Sequence, residues 1–162
     1  MIDSQEESMR KTGESRLLAK AIRIAATVHE AQVDKGLRPY ILHSLRVMFA
    51  QSDDTARICA VLHDVVEDSG VSIDDLRAEG FAEEVLSTLA TLTKRKGEAY
   101  EDYIGRVLES ELACRVKLAD LQDNMDLSRI PNPTEENYRN LEKYKRAAER
   151  LNKAFALRGL NA

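Results

Sequence analysis

Apolar residues along this chain recur mostly at intervals of three and four, the spacing of one helical face. From Ser15 to about Val33 the pattern is carried by Leu17, Leu18, Ala21, Ile22, Ile24, Ala25 and Val28. It stops at Asp34-Lys35-Gly36-Leu37-Arg38-Pro39, where Gly36 can end a helix and Pro39 steers its predecessor away from helical geometry. A second helix is predicted from Ile41 to Ala50, and a third from Thr55 to about Glu67 behind the N-cap candidates Ser52, Asp53 and Asp54. Ser72 with Asp75 predicts a capping box for a short helix over Ile73 to Ala78. Further helices are expected over Ala82 to Leu92, Glu98 to Leu108 and Leu112 to about Leu127. Pro131 and Pro133 mark a turn, and a long final helix runs from Thr134 to about Ala156. Its stripe of Tyr138, Leu141, Tyr144, Ala148, Leu151 and Phe155 suits core or subunit contact.

No segment alternates strongly enough to predict a strand. The expected fold is all-α, a single compact multi-helix bundle over residues 15–158. The polar, aperiodic residues 1–14 are expected to be a disordered or frayed start. The length of 162 residues agrees with one domain.

Charge narrows the function. Lys and Arg number 24 and Asp and Glu 28, so 24 − 28 gives a formal charge of −4. A net-acidic chain with few aromatics and no Trp is a poor nucleic-acid binder. The polar, acidic start is unlike a signal peptide, and no apolar run is long enough for a membrane span. A cytoplasmic protein without nucleic-acid or membrane partners is expected. Cys59 and Cys114 both fall in apolar helical patterns, as buried thiols in a reducing compartment do.

The chemistry concentrates in Leu62-His63-Asp64-Val65-Val66-Glu67-Asp68, an apolar helical stretch with four titratable side chains. The expected i, i+3 and i, i+4 spacings bring these groups together on neighbouring rows. Desolvating so many acids without a cation is costly. Neutral imidazole and carboxylate are both good ligands for a divalent ion, which removes the conflict. A second stretch, Val116-Lys117-Leu118-Ala119-Asp120-Leu121-Gln122-Asp123-Asn124-Met125, sets Asp120 and Asn124 on one face with Lys117 one turn earlier. His43 follows Arg38-Pro39-Tyr40-Ile41-Leu42.

The ordered series His43, then His63-Asp64, then Asp120 resembles the HD superfamily of metal-dependent phosphohydrolases. The wording around these residues is similar to the hydrolase domain of the RelA/SpoT alarmone enzymes, especially the small stand-alone alarmone hydrolases. The resemblance runs from about Ala21 to Arg129. It implies that His43, His63, Asp64 and Asp120 hold one divalent ion, expected to be Mn²⁺. It implies further that Glu67 and Asp68 orient or deprotonate the attacking water, and that Asn124 contacts the nucleotide. The family reaction removes the 3′-pyrophosphate of guanosine tetra- or pentaphosphate, the alarmone of the stringent response. Lys35, Lys117, Arg46 and Arg129 are further candidates for the nucleotide substrate, and a homodimer is compatible with the final helix. His29 matches a family position that is not a metal ligand. Lys94-Arg95-Lys96 reads as a solvated loop or an electrostatic funnel.

The chain departs from the family in its first turn. Asp34 stands where an arginine is expected to hold the base, which removes a planar cation suited to stacking. On this reading Asp34→Arg should improve affinity for guanosine polyphosphates. Ser44 and Leu127 also depart, where proline and threonine are usual. The alternatives are therefore an HD-type hydrolase of another nucleotide or phosphate ester, or a non-catalytic sensor that binds a metal and a nucleotide.

Overall fold

The most apolar run of the chain lies at its centre. A computed structural model describes residues 2–157, with side chains described from residue 12 onward except residue 14. Within it, α3 (Asp54–Leu62) buries Ile58, Cys59, Ala60, Val61 and Leu62 together, so this helix meets protein on every side. Such a helix needs neighbours all round. It finds them in α1 (Ile2–Val28), α2 (Ile41–Phe49), α6 (Glu83–Leu92) and α8 (Glu111–Met125). Ala21 and Ala25 of α1 are fully buried, and their small side chains let the backbones come close. The last helix, α9 (Glu135–Leu157), lies against α8.

The remaining elements close the bundle. α4 (Val65–Asp68) follows α3 almost directly, then α5 (Ile73–Ala78), with α7 (Tyr100–Val107) between α6 and α8. A 3₁₀ turn (Leu127–Arg129) follows α8. Among the described residues the extended pairing is a single bridge, Val33 to Pro39. The all-α expectation is met, and among the described residues no helix is long and apolar enough to cross a membrane.

Local chemistry explains most boundaries. Asp53 accepts from Ala56 N at the start of α3, and Ser72 and Asp75 form the expected capping box on α5. The C-terminus of α6 is closed by Arg106, which donates to the carbonyls of Ala90, Thr91 and Thr93. Glu98 holds that guanidinium through two bonds of 2.8 and 2.9 Å. Cys59 and Cys114 are both buried, and burial pushes the Cys59 thiol up to about 12, so it packs as an inert apolar group.

Three expectations need correction. α1 ends at Val28, earlier than Val33, because residues 34–40 fold back and hold Val33 in its bridge to Pro39. The same helix begins at Ile2, well before Ser15: its polar first half has no apolar stripe to betray it but contains good helix formers. Residues 1 and 158–162 lie outside the described residues. The third predicted helix, Thr55 to Glu67, is two helices with a break at His63-Asp64. In the final stripe Ala148, Leu151 and Phe155 are buried, whereas Tyr138 is 54% exposed.

Candidate metal centre

The break between α3 and α4 makes the site. In a continuous helix, adjacent residues point about 100° apart, so His63 and Asp64 would face different directions. Here His63 N bonds Ala60 O in a tightened turn, and Asp64 becomes the N-cap of α4. Both side chains then turn to one point, where His63 Nε2 lies 2.9 Å from Asp64 Oδ2. Glu67, four positions after His63, lies in the first turn of α4, with its Oε2 accepting from Lys94 N.

α2 and α8 supply the other two groups. His43 Nε2 is 3.2 Å from Asp120 Oδ1 and 3.7 Å from Asp64 Oδ2, and His63 Nε2 is 3.5 Å from Asp120 Oδ1. His43, His63 and Asp120 are all buried, and their ligand atoms lie within 4.8 Å of one another. Adjacent ligands at about 2.1 Å from an octahedral ion stand about 3 Å apart, and the separations here bracket that value.

The tautomers agree with ligation. His63 Nδ1–H donates to Ala60 O at 2.7 Å, and His43 Nδ1–H donates to Asp123 Oδ2 at 2.6 Å. Each leaves an Nε2 lone pair facing the centre, the arrangement that orients a metal-bound histidine. His63 Nε2 is buried without a hydrogen-bond partner although Asp64 Oδ2 is close. Proximity without alignment is what two ligands of a common ion show. The residues present fit a divalent cation.

Electrostatics point the same way. Burial opposes charge on both imidazoles, yet Asp120, Asp123 and Asp64 outweigh it and raise His43 and His63, the latter well above the usual histidine range. Burial likewise raises Asp64, but the neighbouring His63 wins and brings its carboxyl to about 2. Lys117, His43 and His63 hold Asp120 well below the ordinary carboxylate range against strong desolvation. A pocket that pulls protons onto two imidazoles has a potential suited to a bound cation.

Around this centre the other predicted residues fall into two groups. Lys117 Nζ donates to Asp120 Oδ2 at 2.7 Å, and Asn124 Nδ2 to Asp120 Oδ1 at 2.6 Å. Arg46 holds Asp123 through Nε at 2.6 Å and Nη2 at 3.1 Å. Arg129 reaches Asp123 Oδ2 at 3.1 Å and Asp126 Oδ2 at 2.7 Å. All four line the cleft while fixing the carboxylates behind and beside the centre. Lys35 is exposed at the cleft edge, with Nζ 5.9 Å from the Tyr144 ring centroid. Glu67 and Asp68 are exposed, and Glu67 Oε2 accepts from Lys94 N at 3.0 Å. Partial desolvation of its carboxyl and the neighbouring Asp64 raise Asp68.

Asp123 is a residue of this cluster that the sequence analysis did not single out. It supports His43, Arg46 and Arg129 at once, and burial fails to neutralise it because their hydrogen bonds and charges hold its carboxyl low. No local pattern announced it, because His43 lies on another helix. Tyr40 donates its hydroxyl to Asp64 Oδ2 at 2.6 Å. His29 is buried, with Nδ1 at 2.8 Å from Gln32 Oε1 and its ring 4.9 Å from that of Tyr40.

Asp34 also has a structural role in its turn. Asp34 Oδ1 accepts from Gly36 N at 2.8 Å and Arg38 N at 3.0 Å. A guanidinium has no acceptor, so arginine here would give up both of these bonds.

No family model matches the chain. A guanosine-3′,5′-bis(diphosphate) 3′-pyrophosphohydrolase of Borreliella burgdorferi is 34% identical over 93 residues, covering 55% of this chain and 14% of that protein. The protein of the same name from Aquifex aeolicus is 30% identical over 118 residues, 67% of this chain and 17% of its own length. The chain thus spans less than a fifth of these curated relatives. A solved structure, of a metazoan SpoT ortholog described as hydrolysing ppGpp, superposes with a TM-score of 0.68. It is 24% identical, with 90% of this chain and 97% of that one covered. In fold this chain matches the SpoT ortholog's structure, and in sequence it is similar to a part of these guanosine-3′,5′-bis(diphosphate) 3′-pyrophosphohydrolases.

Proposed function

We propose that the protein is a metal-dependent phosphohydrolase that removes pyrophosphate from the 3′ position of guanosine tetra- or pentaphosphate, with Mn²⁺ held by His43, His63, Asp64 and Asp120. The observation that supports this reading is the closeness of those four side chains, of which His43, Asp64 and Asp120 line one cleft and His63 is buried behind it. The names of the curated relatives support the substrate class.

A divalent ion bound there supplies Lewis acidity toward a phosphoryl oxygen and lowers the pKa of a coordinated water from near 16 to roughly 7. The protein's groups do the rest. Glu67 Oε2 is tethered to Lys94 N, which leaves Oε1 to take the proton of the attacking water. Asp68, whose carboxyl is raised by partial desolvation and by Asp64, orients that water beside Glu67. Lys117 and Asn124 keep Asp120 in its ligand rotamer, and Arg46 does the same for Asp123 behind His43. Lys35 and Arg129, at the edges of the cleft, offer positive charge to the phosphates.

The test is incubation of the full chain plus Mn²⁺ with a nucleotide panel that includes guanosine 3′,5′-bis(diphosphate), following pyrophosphate release. Glu67→Ala should keep the metal and lower the rate by about a hundredfold or more. Release from none of the nucleotides by metal-loaded protein would overturn the enzymatic reading in favour of a sensor.

A further inference from the structure

The cleft encloses about 320 Å³ and has two chemically different ends. One is the His/Asp centre with Lys117. The other is walled by Val33, Asp34, Gly36, Ile130 and Tyr144. A nucleotide's phosphates are drawn to a cation and to Lys117, which leaves its planar base between the apolar surfaces of Val33, Ile130 and Tyr144. Beside that wall the cleft holds two carboxylates, Asp126, which is paired with Arg129, and Asp34.

Asp34 is held firmly. Its Oδ1 accepts from Gly36 N and Arg38 N, its backbone N donates to Arg38 O at 2.8 Å, and its carbonyl accepts from Leu37 N at 2.9 Å. Gly36 seats this turn against the 3₁₀ segment so closely that a Cβ there would lie 2.4 Å from Arg129 O. Among the described residues Asp34 makes no ion pair, and its Oδ2 makes no hydrogen bond. The side chain is therefore fixed, negatively charged and half available, on the wall that meets the base.

We infer that Asp34 Oδ2 reads the base, accepting from the N1–H and N2–H₂ edge of guanine. This rests on the nucleotide reading above. Adenine presents a lone pair at N1, which faces the oxygen unfavourably. Inosine keeps N1–H but loses the exocyclic donor, so it stands between them. A specific hydrogen-bonding site of this type discriminates bases by about tenfold or more.

Nucleoside 5′-diphosphates test this without turnover, since they carry no 3′ group to cleave. Calorimetry of the full chain with Mn²⁺ should rank guanosine over inosine over adenosine diphosphate, with guanosine about tenfold or more tighter than adenosine. Asp34→Asn keeps an Oδ1 for the turn but replaces the free acceptor with a donor. It should abolish the preference for guanosine and strengthen adenosine binding. Equal affinities in the native protein, or an unchanged ranking in a folded Asp34→Asn variant, overturn the inference alone. If none of the three diphosphates binds, the nucleotide reading falls with it; the native ranking stands as a test even if the variant does not fold.

Discussion

At the scale of single residues, each side chain of the proposed centre is held by a partner that fixes its orientation. Asp123 shows this best: one carboxylate orients His43, neutralises Arg46 and receives Arg129. Asp123→Asn should weaken metal affinity by about 10–100-fold while leaving the fold intact, as measured by competition against a chelating dye. An unchanged affinity would make Asp123 a bystander. Leu37 marks a different kind of position. It sits at φ 59° and is 79% exposed, so its left-handed backbone has no compensating burial. Leu37→Gly should relieve strain of about 1 kcal/mol, read as a higher denaturation midpoint. The residue types of the ligands could be seen in the sequence, since His43, His63, Asp64 and Asp120 stand in a recognisable order. Asp123 could not, because nothing local links it to a histidine 80 positions away.

At the scale of elements, caps and close approaches decide where the site's parts lie. The turn over residues 34–40 is placed by Gly36 against Arg129, and Gly36→Ala would force backbone apart. We expect it to cost about 1–3 kcal/mol in unfolding free energy and to weaken nucleotide binding, checked by denaturant titration and calorimetry. The end of α6 offers a prediction in pH. The hydrogen bonds from Arg106 and Arg95 N outweigh the effect of desolvation and hold Glu98 at about 2, below its ordinary value of 4.5. Its contribution is present above the ordinary value and is lost as pH falls through about 2. The melting temperature of Glu98→Gln should therefore lie below that of the native protein near neutrality and converge with it between those two pH values. A gap that stays constant would exclude the carboxylate as the cause. Periodicity foresaw these elements and the Ser72 cap, but not the break after Leu62. There the apolar residues continue on both sides of His63-Asp64, so periodicity gives no sign that one helix ends at Leu62 and the next begins at Val65.

At the scale of the whole molecule, the centre joins α2, the α3–α4 junction and α8, so a bound ion ties together segments far apart in the chain. Binding to the folded state alone raises stability by about 2.7 kcal/mol at a hundredfold excess over Kd. Mn²⁺ should accordingly raise the melting temperature, a chelator should reverse the rise, and Asp64→Ala should show neither effect. The order of ligand residues, the helical class and the choice of imidazole and carboxylate donors were all determined by the sequence, because they depend on residue type and local spacing. The tertiary structure alone decided which lone pairs share a point, that Asp123 stands behind His43, and that Asp34 builds a turn instead of leaving a gap. These depend on distances between helices, and such distances are set by the packing of side chains around α3.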